Sequence, residues 1–223
     1  MFRKYEKTFR LLTPKIKVLG KFNLCHKEQV ALLCGKIEIT EKMDGANVAI
    51  IRGNNNKWVL QKRRGLAEQG VHAQYSFFWN WARHNEEKIL KIPNGWKVYG
   101  ELMYAKHNIY YDELPSYFLV FDIWDGREYL HYDNRIFFIK EFGFQHVPIL
   151  YYGNEKIDVD SFMYIKSACS SNLAEGIVIK NYKKQIRGKL VRPEFMKDLE
   201  EDDHWATKAV KRNKLAENVN VFS

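Results

Sequence analysis

A chain of 223 residues and 26.5 kDa, 46% hydrophobic and 15% aromatic, can bury a sizeable core, which excludes global disorder. Its 36 Lys and Arg against 27 Asp and Glu leave a formal charge of +9, a balance that favours a polyanionic partner, most commonly nucleic acid. No run approaches the roughly 18 uncharged apolar residues of a membrane span, residues 1–7 lack the apolar stretch of a secretory leader, and Cys25, Cys34 and Cys169 form no CxxC pair, so the expectation is a soluble cytoplasmic protein with reduced thiols.

After a basic opening, Ile16, Val18, Leu19, Phe22 and Leu24 form an apolar scatter without an assignable element. Residues 27–33 read as a short helix ending near Gly35. Residues 36–41 alternate Ile37 and Ile39 inward against Glu38 and Thr40 outward, a strand signature. Asp44-Gly45 then reads as a tight turn into a second strand that runs to about Arg52, so residues 39–50 make a hairpin with Lys42 at its mouth. A turn at 53–56 leads to a third strand, from Trp58 into the basic stretch 61–65.

Residues 73–91 space Tyr75, Phe78, Trp79, Ala82, Ile89 and Leu90 as one amphipathic helix whose aromatics belong to the core. Residues 96–103 read as a strand with Glu101 inside an apolar run, where an acid is costly unless paired or ligand-bound. A loop over 104–115 carries Lys106, His107 and Asp112, with His107 open between substrate contact and loop packing. Strands are predicted at 117–124, 147–151, 174–180 and 187–192, and helices at 134–142 and 158–170. Beyond Pro193 a charged helical tail follows, its Lys208, Lys211, Arg212 and Lys214 either a solvated face or a track for phosphates. Without regular βαβ alternation, the pattern predicts an α+β domain of antiparallel sheets flanked by helices.

No Gly-rich phosphate loop, GxGxxG, HExxH, paired CxxC or GxSxG occurs. What remains at predicted strand ends is Lys42, Arg63, Glu101, Asp122, Glu175, Lys180 and Lys189. Such a set suits attack on a phosphate: cations neutralise its oxygens, carboxylates serve Mg²⁺, and a lysine is the nucleophile. A free lysine, with a pKa of about 10.4, is almost wholly charged at neutral pH, so neighbouring cations must shift it by about 2–3 units.

In order, these segments resemble the motifs of the covalent nucleotidyltransferases, the ATP-dependent DNA and RNA ligases and the mRNA capping enzymes. Glu41-Lys42-Met-Asp-Gly45 looks like the nucleophile motif KxDG, Tyr99-Gly-Glu101 like the next, and Leu119-Val-Phe121-Asp-Ile like the aromatic motif that stacks on the purine. Glu175-Gly-Ile-Val-Ile-Lys180 matches EGxVxK, and Arg187-Gly-Lys189 stands where the last lysine motif belongs. The resemblance spans about residues 36–195 and is nearest to RNA ligases of the phage-type second family, because Asn47 replaces the usual arginine of KxDGxR and Lys62-Arg63 precedes a nearby glycine. Asp44 departs from the histidine of some members, and Arg187 stands where the family prefers a lysine.

The resemblance implies an adenylyltransferase catalytic domain over residues 1–195, of the nucleotidyltransferase (ATP-grasp-like ligase) fold, followed by a short charged helical extension over 196–223 that is no separate domain. Too few residues follow Phe195 for an OB-fold domain, so a minimal catalytic domain, or a protein partner in place of the missing clamp, is expected. It implies that Lys42 takes AMP from ATP as a lysyl phosphoramide, that the Glu41 backbone and the Phe121 ring hold adenine, and that Asn47 and Arg63 reach ribose or phosphates. Glu101 would contact ribose. Glu175 would serve Mg²⁺, or Mn²⁺ in its place, through water. Lys180 and Lys189 would grip the α-phosphate, with Arg187 beside them. AMP would pass to a 5′-phosphate RNA end that a 3′-OH then displaces, in single strands or nicked duplexes, with DNA the second candidate substrate and no membrane partner. The alternatives are a DNA ligase, a capping-type guanylyltransferase and a non-catalytic nucleic-acid-binding relic.

Overall fold

In the computed structural model, which describes residues 2–14, 22–195 and 210–222, the described strands form two sheets. Along the chain run β1 (Phe9–Arg10), α1 (His26–Leu32), β2 (Ile37–Glu41), β3 (Ala46–Arg52), β4 (Trp58–Lys62), β5 (Gly65–Leu66), α2 (Ala73–His84) and α3 (Glu86–Leu90). Then come β6 (Lys97–Leu102), β7 (Phe118–Trp124), α4 (Tyr132–Phe142), β8 (Gln145–His146), β9 (Ile149–Gly153), β10 (Gly176–Asn181) and β11 (Ile186–Val191). The architecture is α+β with mostly antiparallel pairing; among the described strands only β1 with β11 and β7 with β8 run parallel.

The chain divides into two units with one sheet in each. The unit of Glu6–Met43 and Pro148–Trp205 holds a five-stranded sheet in the order β1-β11-β10-β2-β9. Ile37, Ile39, Ile177, Ile179 and Leu190 bury one face of it with Leu24, Leu32, Val159 and Met163. The unit of Met1–Tyr5, Asp44–Val147 and Ala206–Ser223 holds a six-stranded sheet, β5-β4-β3-β6-β7-β8. There Val48, Ile50, Val98, Val120 and Ile123 pack with Phe78, Trp81 and Ala82 of α2, Ile89 of α3, and Ile139 and Phe142 of α4.

The expected hairpin around Lys42 does not form. β2 pairs with β10 and β9, whereas β3 pairs with β4 and β6. A two-residue Asp-Gly hairpin turn requires positive φ at both positions, and neither Asp44 nor Gly45 has it. Asp44 instead spends its carboxylate on the backbone N–H groups of Asn108 (2.7 Å) and Ile109 (2.8 Å), tying down the 104–115 loop. Gly45 is needed for close approach: a Cβ there would lie 2.7 Å from the Leu102 carbonyl oxygen and 2.8 Å from Met103 Sδ.

Glu38 and Thr40, expected to face water, are buried. Alternation assigns each residue to a face but does not say how deeply that face is buried. The single helix expected over 73–91 is two, parted at Asn85, whose buried amide donates to the Trp81 carbonyl (2.9 Å) and to the Phe222 carbonyl (2.6 Å). The helix expected over 158–170 shrinks to one 3-10 turn, Val159–Phe162, because the following backbone closes a loop with Ser167 N–H on the Asn172 carbonyl and Ala174 N–H on that of Ile165. The helical tail is not found over residues 210–222, where Asn213 is buried and donates to the Met103 carbonyl at 2.8 Å. The rest of that tail, 196–209, and Ile16, Val18 and Leu19 lie outside the described residues. No described helix is long and apolar enough to cross a membrane.

Candidate active site

The residues singled out from the sequence divide between the two units. In the five-stranded unit, Lys42 directly follows β2, and its N–H donates to the Gly176 carbonyl at 2.9 Å, carrying the β2–β10 ladder one residue further. Its amine bonds the Glu175 carboxylate. Glu175 can stand there because of its neighbour: Gly176 has φ +157°, and a Cβ on it would fall 2.0 Å from the Leu190 carbonyl oxygen. A residue with a side chain would push β10 off β11 and move the carboxylate with it.

The register sets the cations side by side. Lys180 is the cross-strand partner of Glu38 on β2 and of Arg187 on β11, and Val178 of Thr40 and Lys189. Opposed residues share a face of the sheet, and Ile177, Ile179 and Leu190 occupy the other, core-packed face. Lys180, Arg187 and Lys189 therefore lie on one polar face, to which the alternation also assigns Lys42. Lys180 is buried and Arg187 and Lys189 are half-buried, with Arg187 within 4.0 Å of Glu6. On the same face, Arg10 of β1 is the partner of Lys189, a cation that no motif in the sequence singles out.

Glu41 is pinned by its side chain. Ser167 Oγ donates to one carboxylate oxygen at 2.5 Å and Ala168 N–H to the other at 2.9 Å, while the Glu41 N–H donates to the Pro148 carbonyl. Burial pushes this carboxyl above its ordinary value, and the bonds from Ser167 and Ala168 oppose the push. The carboxylate is thus committed to the protein.

In the six-stranded unit, Asn47 of β3 and Glu101 of β6 are cross-strand partners, both half-buried. Phe121 is the extra residue of a β-bulge: Tyr99 pairs with Asp122 and Gly100 with Val120. The bulge sets the Phe121 ring against Ala49, Tyr99 and Tyr129, and Tyr5 meets it edge-on at 5.0 Å. Asp122, one of the acids selected from the sequence, is buried and accepts the Tyr5 hydroxyl at 2.6 Å. Arg63 is not brought to Asn47 and Glu101 by any described bond; it lies exposed in the turn after β4. Tyr75, assigned from its spacing to the core, packs against it half-buried; burial pushes its phenol up, Gln74 lowers it, and the charge of Glu101 raises it again.

For a divalent ion, the donor set is sparse: no group of three His, Cys, Asp or Glu side chains among the described residues could enclose one. One carboxylate fits Mg²⁺, which keeps several waters and takes substrate phosphates as ligands. Glu175, paired with Lys42, offers one such carboxylate.

A family model described as RNA ligase matches residues 35–197. Among solved structures, a Naegleria gruberi RNA ligase mutant with ATP and Mn is 21% identical over 74% of this chain and 52% of that one, with a TM-score of 0.61. The same ligase with PPi is 21% identical over 78% and 54%, at 0.60, and an apo mutant 18% identical over 89% and 58%, at 0.64. The chain thus spans little more than half the length of these ligases and is similar to them in fold. No curated protein matches the sequence. The match over well more than half of its length makes this chain a member of the RNA ligase family.

Proposed function

We propose that the chain is an ATP-dependent RNA ligase of the covalent nucleotidyltransferase superfamily, nearest to the phage-type second family, with residues 1–195 as its adenylyltransferase part. The observation that carries this reading is the pairing of Lys42 with Glu175 on a sheet whose same face holds Lys180, Arg187 and Lys189. In the first step the Lys42 amine forms a bond to the α-phosphorus of ATP, the bond to pyrophosphate breaks, and a lysyl-AMP phosphoramide results. AMP then passes to a 5′-phosphate RNA end, and a 3′-OH displaces it as the strand is sealed.

The charges around Lys42 pull in two directions. The Glu175 carboxylate favours the ammonium form, whereas the cations of β10 and β11 disfavour it. Attack needs the neutral amine, so the Lys42–Glu175 pair must part and the ammonium must lose its proton. Mg²⁺ or Mn²⁺ bound through Glu175 would supply charge neutralisation for the phosphates. Lys180 and Lys189 hold the α-phosphate as charge builds on it, and Arg187 adds a planar guanidinium beside them. Phe121 stacks on adenine, the Glu41 backbone holds its edge, and Asn47, Glu101 and Arg63 take ribose or phosphate. RNA ends bind through the basic surface, weakly and with strong dependence on salt.

The test is incubation with Mg²⁺ and α-labelled ATP or GTP, followed by denaturing electrophoresis. Covalent label from ATP that Lys42→Ala abolishes supports the reading. Label from GTP alone would instead indicate a capping-type enzyme, and no label a binding protein without the reaction. Sealing assays on nicked RNA, single-stranded RNA and nicked DNA then fix the substrate.

A further inference from the structure

Glu38 has no role in the steps above, yet it is fully buried, on the polar face of the five-stranded sheet. Removing a carboxylate from water costs several kcal/mol unless partners compensate it. One partner is Tyr182, whose hydroxyl donates to Glu38 Oε2 at 2.5 Å. The register gives its neighbours: across β9, β2, β10 and β11 runs the row Tyr152, Glu38, Lys180, Arg187. Directly opposed side chains in such a row have their Cβ atoms about 4.5–5.5 Å apart. Lys180 is itself only 4% exposed, and a buried ammonium is as costly as a buried carboxylate. Arg187, on its other side, carries the same sign and cannot compensate it; Glu38 carries the opposite one.

We infer that Glu38, held by Tyr182, is the positioning residue for Lys180, fixing that ammonium on the polar sheet face where it meets the α-phosphate. The inference rests on the adenylylation reading, and it adds to it the acid that holds one phosphate-binding lysine in place. A purely structural Glu38 would need only its shape and its bond to Tyr182, and glutamine supplies both without the charge.

The experiment is single-turnover formation of lysyl-AMP from ATP and Mg²⁺ by wild type, Glu38→Gln and Tyr182→Phe, each checked for its fold by circular dichroism and melting. Glu38→Gln is expected to lower the rate at saturating ATP by roughly 10- to 100-fold while the ATP concentration for half-maximal rate moves less than about threefold. Tyr182→Phe, which loosens the carboxylate but keeps its charge, is expected to lower the rate by about threefold. A folded Glu38→Gln protein that labels at the wild-type rate would overturn the inference. If Glu38→Gln fails to fold, Tyr182→Phe decides, and a wild-type rate in it overturns the inference equally. Wild-type protein that takes no label from ATP would remove the adenylylation reading and this inference with it, whereas label in wild type and unchanged label in the variants removes this inference alone.

Discussion

The two sheets use their second faces differently. On the five-stranded sheet that face is ionic: Glu38, Lys180, Arg187 and Lys189 sit in adjoining cross-strand rows, and Lys42 leaves β2 to meet Glu175. On the six-stranded sheet it is largely aromatic, with Tyr5, Tyr99, Phe121 and Tyr129 clustered, the buried acid Asp122 closed off by the Tyr5 hydroxyl, and Asn47 beside Glu101. Buried charges act strongly on developing charge but cost much to hold. Rings and single hydrogen bonds recognise a base or a sugar without changing its reactivity. The first unit should therefore govern rate and the second affinity.

The largest effect expected is that of Lys42→Ala, which removes the proposed attacking atom and should cut covalent labelling at least about a thousandfold. Lys42→Arg keeps charge and should fail as completely, since a guanidinium does not give up its proton. Equal labelling of Lys42→Ala and wild type, read on a denaturing gel, would end the assignment of reactivity to this unit.

Next come two glycine tests, one in each unit. Gly176→Ala drives a Cβ to 2.0 Å from the Leu190 carbonyl at φ +157°, so both the contact and the backbone resist it. It should cost about 3 kcal/mol or more in denaturant unfolding, and lose labelling beyond that because Glu175 moves. Gly100→Ala meets the Phe118 ring at 2.4 Å and the Leu119 carbonyl at 2.8 Å. It should destabilise by about 2–3 kcal/mol, and its effect on labelling should follow the fraction folded. If Gly100→Ala loses rate at matched folded fraction, the division between rate and affinity is too simple.

Smaller changes should separate the units kinetically. Phe121→Leu removes a stacking ring, and Asn47→Ala a polar group at a proposed ribose or phosphate contact. Each should raise the ATP concentration for half-maximal labelling by about fivefold to tenfold and leave the saturated rate within about twofold, the signature of lost uniform binding. A fall in saturated rate with unchanged affinity would invert the comparison.

What could be read from the sequence follows the range of the interactions. The helix expected over 134–142 and the longer strands of both sheets declare themselves by local period and length, and Asn47, Glu101, Lys180, Arg187 and Lys189 fall on them; the two-residue strands β1 and β8 carry no such signal. The misreadings share another cause. Asp44-Gly45 carries hairpin chemistry, but Asp44 is claimed by N–H groups 64 and 65 residues away. The spacing of Val159, Phe162 and Met163 imitates a helix, yet the stretch beyond it is shaped around Glu41, whose carboxylate lies 126 and 127 positions from its donors. Glu38 looked solvent-facing because alternation cannot say what covers the outer face, and its hydroxyl donor stands 144 positions away. No local window contains these partners.

The smallest effect expected concerns that same Glu41, and it touches stability rather than turnover. Burial raises its carboxyl above the ordinary value of 4.5, against the pull of Ser167 and Ala168. A carboxyl raised on folding binds its proton more tightly in the native state than in the unfolded chain. The stability it contributes is therefore complete below the unfolded value and is lost as pH rises through the higher, folded one. Unfolding free energies measured between about pH 4 and 7 should show this fall in wild type, superimposed on the opposite trend of carboxylates that are favoured as ions. Glu41→Gln, which cannot ionise, should lack that component, so the difference between the two proteins should shift in favour of glutamine as pH rises. A difference that is flat across this range would mean that the bonds from Ser167 and Ala168 cancel the effect of burial, and one that shifts the other way that they outweigh it.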